Sequence, residues 1–208
     1  MNSLEHDLAE LTKELVRIPS DNTERARDVL IYLQSFLSAG GITCSMLRSH
    51  GKDIALVAEI NSGVPGATLC FNATADTAPV GNLDLWNGSP YSAKTRDGWL
   101  YGRGSADSKS GVAVVCKLLD YFKHNLSSGK IIAFFDADEH SGNFEGVQAF
   151  YSQHKPDAVM ILYPGDRAIR SGARGFWMAE VTFSSTPGHS AIETANAVHM
   201  ASRFVSRL

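Results

Sequence analysis

The sequence carries little charge of either sign in excess; its net charge is -3. Nucleic acids and anionic membranes select a basic face, so neither is expected as a partner. Cysteine is scarce as well. Cys44, Cys70 and Cys116 are odd in number, far apart, and each lies in an apolar run. That pattern excludes a disulfide framework and a Cys-x-x-Cys metal knuckle, and it predicts three buried reduced thiols. No apolar run approaches the ~20 residues needed to span a bilayer. The acidic amphipathic start, MNSLEHDLAELTKEL, is unlike a signal peptide. A cytoplasmic location is expected. Three common site motifs are missing too. GRGSAD lacks the third glycine of a dinucleotide fingerprint, GSADSKSG lacks the residue order of a phosphate-binding P-loop, and no Gly-x-Ser-x-Gly elbow occurs.

What is present reads as an ordinary globular chain, with 44% hydrophobic and 20% charged residues. Helices and strands alternate. Leu4, Leu8, Leu11 and Leu15 recur at helical spacing, with Ser3 as the candidate N-cap. Thr23 is the candidate cap of a second helix running to Ser38, with Val29, Leu30, Leu33, Phe36 and Leu37 inward and Gly40-Gly41 ending it. Residues 42–48 and 54–60 read as strands around a polar turn at His50–Asp53, and residues 67–73 as a third. Residues 111–125 form a helix with Val112, Val115, Leu118, Leu119 and Phe122 on one face. Residues 130–135 and 158–162 are short apolar runs of the kind found in strands covered on both faces. The expected class is α/β, a mixed sheet flanked by helices. Trp177–Phe183 alternates like a strand and Thr194–Leu208 reads as a helix, too short a stretch to bury a core of its own.

Ligand sites in α/β sheets gather at the carboxyl ends of strands. Four polar segments fall there: Asn72–Pro79, Tyr101–Gly111, Asp136–Gly142 and Tyr163–Asp166. Acidic residues at such places also cap helices and shape turns.

Taken in order, the strings TADTAPVG, LWNGSPY, LYGRGSADSKSG, ADEHSG, LYPGD and STPGHSA resemble the zinc-dependent family of aminoacylase, acetylornithine deacetylase, succinyl-diaminopimelate desuccinylase and carboxypeptidase G. The resemblance runs over residues 5–208. It implies a zinc-exopeptidase-like catalytic domain over residues 1–176 and the beginning of an α+β lid domain over 177–208. It implies hydrolysis of an amide bond in an N-acyl amino acid or small peptide, with zinc as cofactor, one or two ions. By the same resemblance Asp107 matches a carboxylate shared between metals and Glu139 the general base. Asp76 matches the residue that orients a ligand, and His189 a lid residue reaching a partner's site. A dimer or a completing chain is the implied assembly.

The departures from the family pattern fall on the metal site. Thr74, His140 and Tyr163 stand where a histidine and two acidic ligands are implied. Asp107 remains, and His140 is read either as a loop residue or as a substitute ligand, imidazole being a good zinc donor. Asp76, Asp138 and Tyr163 are the candidates to complete such a site. Lys109 is a candidate ion-pair partner for Asp107 in the absence of metal. Asp76 is alternatively a hydrogen-bond partner of Thr74 or of backbone. Arg103 is expected in a structural ion pair, Arg174 in a structural role, and Trp86 and Trp99 packing a long loop over the sheet. Beside the altered hydrolase stands a second expectation, a catalytically inactive relative or fragment that binds a partner.

Overall fold

The computed structural model describes residues 3–165, 168–172, 175, 179–185 and 196–207. They fall into two compact units, residues 1–166 and 167–208.

The first unit opens with two helices, α1 (Ser3–Arg17) and α2 (Thr23–Ala39). In α1 the buried face is Leu11, Leu15 and Val16, while Leu4 is exposed, so the inward stripe begins a turn later than its leucine spacing predicts. In α2 the cap is Asn22 rather than Thr23: its extended backbone lets the side chain accept from the Arg25 N–H. Leu30, Leu33 and Leu37 are buried, but Phe36 is on the exposed side. Gly41, at φ 73°, turns the chain so that Ile42 N–H closes on the Leu37 carbonyl.

Strands β1 (Thr43–Ser49) and β2 (Lys52–Asn61) form a hairpin. Its turn is only His50-Gly51, both at positive φ, shorter than the four polar residues suggest. Next come β3 (Thr68–Thr74) and a small separate hairpin of β4 (Lys94–Arg96) and β5 (Trp99–Tyr101). Helix α3 (Lys109–Asn125), strand β6 (Lys130–Asp136), helix α4 (Glu145–Gln153) and strand β7 (Ala158–Ile161) complete the unit. The main sheet has the order β1-β2-β6-β3-β7. β2 runs antiparallel to β1 and β6, whereas β3, β6 and β7 are parallel. The expected mixed α/β sheet is therefore present.

Alternation along the central strands feeds two cores. Ile131, Ala133 and Phe135 of β6 face the side of α1, α2 and α3; Ile132 and Phe134 face the other, where Phe150 of α4 stacks on Phe134 at 4.3 Å. β6 is covered on both faces, as its apolar run predicts. β7 is not: it is one of the two edge strands among the described residues, and Val159, Met160 and Ile161 are all exposed. Cys70 and Cys116 are buried free thiols, but Cys44 is only half-buried.

In the second unit, helix α5 (Ala197–Val205) is capped by Asn196, whose side chain accepts from the Val198 and His199 N–H groups. Of the predicted strand Trp177–Phe183, residues 179–183 are described and are not in a strand. Trp177, Arg174 and His189 lie outside the described residues.

Candidate active site

Because β3, β6 and β7 are parallel, their carboxyl ends share one edge of the sheet. The loops leaving that edge carry Asp76, the segment Asp138–His140 and Tyr163, and the start of α3 brings Asp107. The backbone closes the first two together: Ala75 N–H donates to the Asp136 carbonyl at 2.8 Å.

Asp76 is buried and accepts from two successive amides, Glu139 N–H at 3.3 Å and His140 N–H at 2.9 Å. The His140 ring lies among three carboxylates. Its Nδ1 is 3.1 Å from Glu139 Oε2 and 3.4 Å from Asp76 Oδ2, and its Nε2 is 3.7 Å from Asp107 Oδ2. Among the described residues Nδ1 is buried without an aligned hydrogen-bond partner. The imidazole is pushed above its ordinary range, first by its close contact with the Asp76 carboxylate and then, against burial, by the charges of Asp76, Glu139 and Asp107. Glu139 is also raised, chiefly by burial and then by Asp76 and Asp107, against the opposing pull of His140.

Other expected donors are turned elsewhere. Asp138 accepts from the Glu145 and Gly146 N–H groups at the start of α4. Tyr163 stands at Asp107, but burial, then Glu139 and Asp107, push its phenol up to about 12, so the protonated form prevails. Thr74 is buried, and its carbonyl accepts from Ser108 Oγ at 3.2 Å. The Asp107–Ser108 peptide bond is cis.

Three structural expectations need correction. Lys109 does not pair with Asp107. It points away from it, fully buried, and donates to the Leu15 carbonyl at 2.8 Å and the Ile18 carbonyl at 2.6 Å. Carbonyls at the end of a helix lack intrahelical donors and sit at its negative pole, which draws the ammonium there. Burial meanwhile pushes the lysine down to about 7. Arg103 makes no ion pair among the described residues; it donates to the Pro79 carbonyl at 3.0 Å and lies over the Trp86 ring at 5.3 Å. Trp86 does pack its loop, donating to the Val80 carbonyl, but Trp99 is 71% exposed on the β5 hairpin.

The chemistry of the donors decides what metal they suit. Among the described residues Asp107 Oδ1 is buried without a partner, and His140 is beside Asp107. Yet among the described residues no group of three or more His, Cys, Asp or Glu is spaced to hold a metal ion. Zinc ordinarily takes at least ~three protein ligands. These residues do not fit a two-metal centre.

Residues 70–203 match the model of peptidase family M20/M25/M40. Among curated relatives, a succinyl-diaminopimelate desuccinylase of Cereibacter sphaeroides is 29% identical over 97% of this chain and 56% of its own length. A second succinyl-diaminopimelate desuccinylase, from a Ruegeria species, is 32% identical over 88% of this chain and 49% of its own length. The chain thus spans about half the length of the curated relatives it matches. Among solved structures, a Staphylococcus aureus tripeptidase superposes with a TM-score of 0.65 at 18% identity, over 98% of this chain and 56% of that one. A Bacillus subtilis protein described as a dinuclear metal binding peptidase superposes with a TM-score of 0.55 at 17% identity, over 76% of this chain and 42% of that one. No described helix is long and apolar enough to cross a membrane. With the family model covering most of the chain and the fold agreeing, this chain belongs to peptidase family M20/M25/M40.

Proposed function

We propose that the chain carries the proton-transfer part of an enzyme that hydrolyses the amide bond of an N-acyl amino acid or small peptide in the cytoplasm. Family membership supports the reaction class, and the relatives named desuccinylase and tripeptidase support the substrate class. The observation that carries the reading is Glu139. Its carboxyl is half-buried and held above the usual range, on a loop that Asp76 fixes by two backbone hydrogen bonds. In this reading Glu139 takes a proton from the attacking water and returns it to the leaving amine nitrogen. Asp76 is a positioning residue. Asp107 and His140 are the pair assigned to metal, and zinc is the metal the resemblance implies. Two donors fall short of an ordinary zinc site among the described residues. His189 is assigned to the oxyanion, at the start of a lid over residues 177–208 that a second copy or a completing chain would engage.

The test uses purified protein with and without added zinc, N-succinyl and N-acetyl amino acids and dipeptides as substrates, and elemental analysis after dialysis. Hydrolysis is expected, and Glu139→Gln should lower it by at least ~100-fold while leaving the zinc content unchanged. Equal rates in the two proteins would remove Glu139 from the role. Absence of hydrolysis with every substrate, with or without zinc, would overturn the activity itself.

A further inference from the structure

Away from the Asp76–His140 cluster, a constellation of charged side chains joins α2, β1 and β2. Asp53, at the start of β2, is 8% exposed. Its two oxygens are divided between two arginines. Oδ2 accepts from Arg27 Nε, on α2, at 2.9 Å, and Oδ1 accepts from Arg48 Nε, on β1, at 2.7 Å. Arg48 first, then Arg27, holds the Asp53 carboxyl below its ordinary range. Bonding through Nε leaves the outer Nη edge of each guanidinium free, and among the described residues neither arginine makes another hydrogen bond or ion pair.

Both arginines line a cleft of about 370 Å³, together with Lys52 and with Thr23 and Glu24 in the first turn of α2. The cleft has three cations against two carboxylates, and one of those carboxylates is already engaged by the arginines. The positive pole of α2 adds to the same sign. One arginine would be enough to neutralise Asp53. The second is held beside the first despite their like charge, and paired guanidinium edges match the two oxygens of a carboxylate or phosphate.

The cleft also has a definite place. Ala137 N–H donates to the Ile54 carbonyl at 3.2 Å, so Asp53 adjoins the end of β6 that leads to Glu139 and His140. Neighbouring strands are ~4.8 Å apart. The cleft therefore opens at the same end of the sheet as the candidate active site, on the β1 flank. We propose that Arg27 and Arg48, aligned by Asp53, form a binding site for a small oxyanion, a carboxylate or phosphate group, beside that site. The proposal does not depend on amide hydrolysis.

Calorimetric titration of the whole chain at low salt tests it, with sodium succinate and inorganic phosphate as separate probes. Saturable one-to-one binding of at least one probe is expected. Binding of succinate alone assigns a carboxylate ligand, of phosphate alone a phosphate ligand, and of both the shared oxyanion chemistry. The double variant Arg27→Gln/Arg48→Gln should weaken binding by about tenfold or more, and Lys52→Gln by about threefold. Arg25→Gln, two residues before Arg27 and paired with Asp21, should leave it unchanged. No saturable binding of either probe, or equal binding in a folded double variant, would overturn the proposal. If the double variant does not fold, the arginine side-chain resonances of the wild type decide. Movement of the Arg27 and Arg48 Nη signals on titration supports the site, and its absence refutes it.

Discussion

Asp136 ends β6 at 2% exposure, with its Oδ2 accepting from Asn72 Nδ2 at 2.6 Å and its Oδ1 without a partner among the described residues. Burial, and after it the charges of Asp76 and Asp138, push this carboxyl up to about 7. The folded value lies above the unfolded one of ~3.9, so the folded state holds the proton more tightly. The associated stability is full below pH ~4 and is lost as pH rises toward 7. Urea unfolding at a series of pH values should show a decline on the order of 2–4 kcal/mol across that window. Asp136→Asn, which keeps the shape and the Asn72 contact, should flatten the slope and raise the midpoint at pH 8. A variant that declines like the wild type would remove Asp136 as the cause. At this scale the sequence was a partial guide. The motif LYGRGSADSKSG singled out Asp107, but nothing in it told that Lys109, two residues on, would turn to the end of α1. That direction is set by helix carbonyls far away in the chain. The Asp53 triad was equally hidden, because its partners stand 26 and 5 residues away with no spacing that marks them.

Helix α3 meets the end of β7 at a glycine. A Cβ on Gly111 would come within 2.5 Å of the Leu162 carbonyl oxygen and 3.2 Å of the Leu162 Cβ. That carbonyl is backbone of a residue whose own N–H is bonded to the Asn72 carbonyl, so it has little room to move. Gly111→Ala should destabilise the fold by about 1–3 kcal/mol. A lowered urea midpoint checks it, and an unchanged midpoint would show that the helix can retreat freely. Elements such as α2 and α3 were legible because their apolar residues recur with the period of a helix. β4 and β5 were not, since three-residue strands offer too few positions to show alternation. β7 was identified as a strand but assigned the wrong surroundings. An apolar run reads alike in a central strand and at an edge, and only the sheet order separates β6 from β7.

At the scale of the whole molecule, that edge has a physical effect. Among the described residues no strand pairs with the outer side of β7, which carries three exposed apolar side chains, Val159, Met160 and Ile161. An open, apolar edge is a template for pairing with another strand. The weight-average mass of the chain should therefore rise with concentration in light scattering, and Met160→Lys should suppress the rise without lowering the unfolding midpoint by more than about 0.5 kcal/mol. A concentration-independent mass in the wild type would count against it. The opposite face of the design is the loop at the carboxyl edge. Asp76 grips the main chain at Glu139 and His140 by two amide hydrogen bonds, with the His140 ring 3.4 Å away. The loop is thus a socket: its shape is set by amides that every residue except proline possesses, and what it displays at position 140 is exchangeable. A single codon change there rewrites the charge and chemistry of the site while the scaffold that presents it stays as it was.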